Sequence, residues 1–396
     1  MNPLNLYSTQ PFADFTMEEF EKRYLRTRQL MADEHIDLLL ITERLNYQYY
    51  SGHRSMQSPI DKIRPYVFLL PLEGDPIMIA PKFEFGQIEQ TSYLKSSNIH
   101  ASTALFGHAD YIIQIINNMG LQNAVIGAEL GREQYLGLSY QIYQEITRGL
   151  PNAKFVDASH LLLRVRAIKS SAEITYLRKA CEITSQAHDD TLEHIQVGMT
   201  EEEIARLIKI RLFELGADFL TFIYVVSGTD KHAKGINPLP TFRKTSKGET
   251  VSIDVGISYR GYCSDIARTA AIGYASSELK EFYRWTTRLK RHCESLLKPG
   301  VRPAHIVNEC IDMMQEKGIM KTDVGRIGHG IGMDSTEYPS IATFEDIELE
   351  KGMTIAINPN FNNEFGFINA EDNWVITDDS AESLSQEAKD EIPIVG

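Results

Sequence analysis

The chain has 396 residues, 43% hydrophobic and 24% charged, the balance of a folded globular protein, which excludes disorder as its main state. At roughly 100–200 residues per domain, about two to four domains are expected, and the absence of a repeat at a fixed period excludes a solenoid. Forty Lys and Arg against 54 Asp and Glu leave a formal charge of −14, which argues against a nucleic-acid partner and an anionic membrane surface.

In chain order, residues 16–35 read as a helix capped by Thr16, with Phe20, Tyr24, Leu25 and Met31 near helical spacing. Strands are expected at 36–41, 66–72, 76–79 and 124–126, and a helix near 132–149. Strands alternating with helices give a small α/β domain, 1–165, followed by a second domain, 166–396. Ser170 or Ser171 caps a long helix that Gly198 stops, and Thr200-Glu201-Glu202-Glu203 is a capping box opening the next. A strand at 221–226 precedes a hairpin over 251–272, then helices near 277–297 and 303–317 and strands at 354–357 and 373–376. This order suggests two similar halves. The acidic tail after Thr377 reads as a solvated end.

Four cysteines, none in a C-x-x-C pair, do not make a disulfide framework. The first residues show neither a basic n-region nor an apolar h-region, and no apolar run approaches the ~20 residues of a membrane span. A cytoplasmic location is the expectation.

The hairpin carries Asp254 in Ser252-Ile253-Asp254-Val255-Gly256 and Asp265 in Tyr262-Cys263-Ser264-Asp265-Ile266. Their numbers are symmetric about a Tyr259–Arg260 turn, which in a simple two-residue hairpin sets their Cβ atoms about 4.5–5.5 Å apart. Two carboxylates that close need a shared proton or a divalent metal. Gly328-His329-Gly330-Ile331-Gly332 surrounds one imidazole with glycines that permit close backbone approach, and Glu371-Asp372 leads into an apolar strand. Carboxylates with one imidazole suit Mn, Fe, Co or Zn better than Ca or Mg.

These motifs, with Gly261 to Thr269, Glu337-Tyr338-Pro339 and Lys351-Gly352-Met353, resemble the pita-bread metallopeptidase superfamily of creatinases, Xaa-Pro dipeptidases and aminopeptidases P over roughly residues 169–377. The resemblance implies an α+β fold: a pita-bread catalytic domain preceded by a smaller α/β creatinase-type N-terminal domain. It implies one or two divalent metal ions held by Asp254, Asp265, His329 and Glu371, with Asn358 where the peptidases carry a fifth, glutamate ligand that also serves as general base. An amide can ligate but cannot accept that proton. Asn237 and Thr336 stand where peptidases have substrate-handling histidines, and Asn369 where an Arg is common.

Glu337, His232 and Tyr262 are therefore the candidate catalytic groups, Glu337 first because it lies in the Glu-x-Pro motif. The candidate substrate-binding residues are Asn237, Thr336, His53, Arg54 and Arg64; the last three lie in cationic stretches, Ser51 to Arg54 and Lys62 to Arg64, suited to a substrate carboxylate. The main expectation is a metal-dependent hydrolase or lyase acting on a small carboxylate-bearing or zwitterionic non-peptide substrate, as in creatinase, ectoine hydrolase or the dimethylsulfoniopropionate lyases. The alternative is an Xaa-Pro dipeptidase or aminopeptidase, and a second alternative is a metal-poor binding protein without catalysis. A homodimer is implied by the resemblance alone.

Overall fold

The computed structural model describes residues 4–57, 63–103, 105–229, 238–319 and 325–396. The chain divides into two compact units, Met1–Arg166 and Ala167–Gly396.

The first unit is built on a six-stranded sheet, in spatial order Ile99–Ser102, Ile77–Pro81, Val67–Pro71, Leu38–Ile41, Val125–Ala128 and Lys154–Asp157. Leu38–Ile41 lies inside the sheet, antiparallel to Val67–Pro71 and parallel to Val125–Ala128. All four of its side chains are buried, which is why its sequence is an unbroken apolar run rather than an alternation. The helix expected from residue 132 begins only at Tyr140, capped by Ser139. Upstream, Gly137 lies against the Thr42 backbone, where an added Cβ would meet the carbonyl oxygen at 1.8 Å, and Glu133 has a positive φ of 59°. That segment is fixed by close packing and cannot wind into the helix. The helices Arg44–Ser51 and His108–Asn118 were not expected from the sequence.

The second unit contains two five-stranded sheets. One runs Ile394–Val395, Ile266–Ile272, Thr250–Tyr259, Phe219–Ser227, with Tyr262–Cys263 paired to Thr250–Tyr259; the other runs Glu337–Ser340, Gly328–Gly330, Thr354–Ile357, Asp372–Ile376, Ala381–Ser383. An Ala267–Glu371 bridge joins them, the Glu371 N–H donating to the Ala267 carbonyl at 3.1 Å. The helices Ser171–Leu192 and Glu201–Glu214 open on the expected capping boxes, Ser170 with Glu173 and Thr200 with Glu203. Ile183, Ala187, Ile204 and Ile208 from these helices share one apolar cluster with Val251, Ile253, Val255 and Ile257. Strand alternation then turns Ser252, Asp254 and Gly256 to the opposite face.

Two expectations are corrected here. The hairpin turns at Arg260-Gly261, both with positive φ (53° and 84°), the backbone of a type I′ turn. Tyr259 pairs with Tyr262, so Asp254 faces Ala267, and Asp265 falls in the break between Tyr262–Cys263 and Ile266–Ile272. The two acids are diagonal neighbours, not opposite ones. The tail is also built into the unit: Ala381–Ser383 pairs with Asp372–Ile376, Ile394–Val395 pairs with Ile266–Ile272, and Leu384, Ala388, Ile392 and Val395 are buried. Its apolar residues are spaced among the acids, and composition hid them. Among the described residues no helix is long and apolar enough to cross a membrane.

Candidate metal centre

Asp265, His329 and Glu371 each offer one ligand atom within 4.8 Å of the others, and all three are buried. His329 Nε2 stands 3.6 Å from Asp265 Oδ2 and 3.6 Å from Glu371 Oε1. That is too long for a hydrogen bond. Two donors each about 2.1 Å from a four-coordinate ion lie roughly 3.4 Å apart, so the spacing matches ligands around one cation. His329 Nδ1 lies 3.0 Å from the Gly330 carbonyl and donates to it, which turns the lone pair of Nε2 toward the carboxylates. Burial, with Arg326 second, lowers the His329 pKa to about 4, so the imidazole is neutral and able to ligate at pH 7.

The glycines of the His329 motif exist for space. A Cβ on Gly328 would lie 2.4 Å from the Ala356 carbonyl oxygen, and one on Gly330 would lie 2.3 Å from that of Tyr338. The strands on both sides press against the His329 backbone and leave no room for a side chain.

Asp265 is held by its main chain. Asn373 Oδ1 accepts its N–H at 3.0 Å and Asn373 Nδ2 donates to its carbonyl at 2.6 Å. Asp254 lies beside Asp265, and Asn369 Nδ2 donates to its Oδ2 at 3.2 Å. Asp254 Oδ1, Asp265 Oδ1 and Glu371 Oε1 are buried without a hydrogen-bond partner among the described residues. Burial first, then the charge of Glu371, raises Asp254 and Asp265 well above the usual carboxylate range, and burial brings Glu371 to about 8. Three crowded carboxylates with orphaned oxygens and one neutral imidazole form a donor set that fits a divalent transition ion.

The remaining candidates are placed as follows. Asn358, half-buried after Thr354–Ile357, has a side chain that holds the Glu371 carboxyl lower than burial alone would leave it. Glu337 is buried and ion-paired with buried Lys169 at 2.7 Å. A proton on Glu337 would strand the Lys169 ammonium in the interior, which disqualifies Glu337 as the favoured base. The Tyr262 hydroxyl donates to Glu173 Oε1 at 2.9 Å, anchoring a helix start. Thr336 is exposed. In the first unit His53 is fully buried, its Nε2 3.0 Å from Glu84 Oε2 and its Nδ1 3.2 Å from the Tyr47 hydroxyl. Arg54 pairs with Asp14 at 2.7 Å, and Arg64 sits over the Phe83 ring at 5.6 Å. His232, Asn237 and Lys62 lie outside the described residues.

Sequence reasoning missed three neighbours of the site. Tyr224 pairs across the sheet with Asp254, a fact that only the register reveals. Asn373 was hidden behind the Glu371-Asp372 acid pair. Arg326 lies three residues before His329, and its charge acts on Asp265, His329 and Glu371. Asp372 itself faces away from the centre, bonded to Lys290 Nζ at 2.5 Å and Arg268 Nη2 at 2.7 Å.

Comparison with known proteins agrees with this geometry. The model of metallopeptidase family M24 matches residues 175–378, and that of the creatinase/prolidase N-terminal domain matches residues 23–168. An uncharacterized peptidase of Staphylococcus epidermidis is 25% identical over 363 residues, 91% of this chain and 98% of its own. The structure of an Xaa-Pro dipeptidase from Bacillus anthracis superposes with a TM-score of 0.83 at 25% identity, covering 95% of this chain and 100% of that one. A dipeptidase from Mycobacterium ulcerans gives a TM-score of 0.83 at 23% identity, over 96% of this chain and 99% of that one. Together they establish the pita-bread fold with a creatinase-type N-terminal domain.

Proposed function

Because this chain belongs to metallopeptidase family M24, we propose that it is a metal-dependent hydrolase that cleaves the amide bond of a dipeptide-sized substrate. Asp265, His329 and Glu371 would hold one divalent transition ion, of Mn, Fe, Co or Zn. The observation that carries this reading is the equal 3.6 Å spacing of His329 Nε2 from the two carboxylates. The similar proteins named as dipeptidases favour a peptide substrate over the non-peptide one expected from the sequence, and none of them supports an elimination reaction. A homodimer belongs to the proposal on family resemblance alone.

When bound, the ion supplies Lewis acidity to a carbonyl and lowers the pKa of a water. The chain must supply the proton acceptor. With an amide at 358 and Glu337 tied to Lys169, the acceptor is Asp254. Its Oδ2 is held by Asn369, its Oδ1 is without a partner among the described residues, and burial followed by the Glu371 charge raises its carboxyl well above the usual carboxylate range, which makes it a stronger proton acceptor than an ordinary carboxylate. The neutral His329 imidazole donates only to the Gly330 carbonyl and stays out of proton transfer. Tyr224, paired to Asp254 across the sheet, is placed to orient the substrate.

The test is turnover by Mn-, Co- and Zn-loaded protein of Gly-Pro, Ala-Pro and Gly-Ala, set against creatine, ectoine and dimethylsulfoniopropionate. Dipeptide cleavage that Asp254→Asn abolishes while metal content is kept is the expected result. Turnover of one of the three non-peptides with none of the dipeptides would overturn the substrate assignment. A chain that takes up no metal would return the reading to a binding protein.

A further inference from the structure

Two short segments meet behind the centre, and each grips the other's carboxylate residue. Residues 265–268 supply Asp265 and Arg268, and residues 371–373 supply Glu371 and Asn373. Asn373 Oδ1 accepts the Asp265 N–H at 3.0 Å, and Asn373 Nδ2 donates to the Asp265 carbonyl at 2.6 Å. In return, Arg268 Nη1 donates to the Glu371 carbonyl at 2.8 Å and to the Ala267 carbonyl at 2.8 Å. The Ala267 carbonyl also accepts the Glu371 N–H at 3.1 Å. The main chain of each carboxylate residue is thus fixed at both its N–H and its carbonyl. Ordinary strand pairing does not do this work. Asp265 falls in the break between Tyr262–Cys263 and Ile266–Ile272, and Glu371 meets Ala267 through an isolated bridge.

We propose that Arg268 and Asn373 are positioning residues whose reciprocal grip sets the spacing of Asp265 and Glu371 about His329 before an ion arrives. Both side chains are buried and are themselves held. Arg268 Nη2 donates to Asp372 Oδ1 at 2.7 Å and to the Gln386 carbonyl, while Cys181 Sγ donates to Asn373 Oδ1 at 3.2 Å. The Asp372 carboxylate offsets the guanidinium charge, so Arg268 acts on the centre through its bonds. Its planar fork reaches two carbonyls with one nitrogen and a carboxylate with the other, which the single ammonium of a lysine cannot reproduce. Ligands fixed in advance spare the ion the entropy of gathering them, and that saving appears as affinity. The inference rests on the reading of this centre as a metal site and is independent of the substrate.

The experiment is Mn²⁺ binding to the chelator-stripped full chain by calorimetry, with the electron paramagnetic resonance spectrum of the bound ion as a readout of ligand geometry. Arg268→Met and Asn373→Leu should each weaken Mn²⁺ at least about tenfold and alter the bound-ion spectrum. Arg268→Lys, which keeps a cation beside Asp372 and loses the fork, should weaken it in the same way, and it decides the matter if Arg268→Met does not accumulate. Lys290→Met is the control for stability alone. It removes the cation 2.5 Å from Asp372 Oδ2, so it breaks the same buried network, but it leaves the grips on Asp265 and Glu371 in place. Its Mn²⁺ affinity and spectrum should match the wild type. Folded Arg268 and Asn373 variants that bind Mn²⁺ as the wild type does, or a Lys290→Met that loses as much affinity as they do, would overturn the proposal and leave the hydrolase reading intact. A wild type that binds no ion would overturn both.

Discussion

His329 Nε2 stands 3.6 Å from Glu371 Oε1, although the two residues come from different strand regions of one sheet, and it is equally far from Asp265 Oδ2, in the break between two strands of the other sheet. The Ala267–Glu371 bridge brings those sheets together at this point. Each donor is fixed by main-chain bonding or close packing, so the crowding of like charges is imposed by the fold.

That crowding has a cost in the metal-free chain. Burial raises the Glu371 carboxyl to about 8 and drives Asp265 well upward. Above the ordinary carboxylate range the unfolded chain is ionised while the folded chain still holds its protons, so the folded state binds more protons. Stability of the metal-free form should therefore fall as pH rises from about 4.5 through about 8. Asp265→Asn removes one of the repelling charges. In chelator at pH 8 it should melt higher than the wild type, by the equivalent of about 1–3 kcal/mol, and it should lose the stabilisation that Mn²⁺ gives the wild type. Thermal melts with chelator and with Mn²⁺ check both halves.

Asp372 is the opposite case. Burial alone would raise its carboxyl, but the Arg268 and Lys290 cations beside it bring it down to about 2. The stability this gives is present above the ordinary aspartate pKa and is lost as pH falls through about 2. Asp372→Asn leaves two buried cations short of their anion and should lower the unfolding free energy by about 3–5 kcal/mol at pH 7, read from urea denaturation.

The glycine-rich segment makes a separate prediction. Gly330→Ala places a Cβ against the Tyr338 carbonyl oxygen, so the backbone must shift beside His329. It should cost about 1–3 kcal/mol in urea denaturation and weaken Mn²⁺ binding. Gly86, inside the helix Phe85–Thr91, has nothing within 4 Å of an added Cβ, and Gly86→Ala should stabilise by about 0.5–1 kcal/mol without changing metal affinity.

Much of this was legible in the sequence. Both capping boxes, the apolar strands and the motifs that bring Asp265, His329 and Glu371 together are local patterns, and local patterns survive in a linear reading. Register did not survive. The Arg260-Gly261 turn, one residue later than the symmetric guess, shifts the hairpin pairing by two positions and makes Asp254 a diagonal neighbour of Asp265. The roles of Glu337 and Tyr262 were hidden because their partners, Lys169 and Glu173, lie far away along the chain. The tail looked solvated because its acids outnumber the buried Leu384, Ala388 and Ile392 that dock it.

The most direct measurement is a calorimetric Mn²⁺ titration of the chelator-stripped wild type beside His329→Ala and Glu371→Gln, each first shown to be folded by circular dichroism. One ion per chain in the wild type, weakened at least about a hundredfold in both variants, is the predicted result. Folded variants that bind Mn²⁺ as the wild type does would contradict the account.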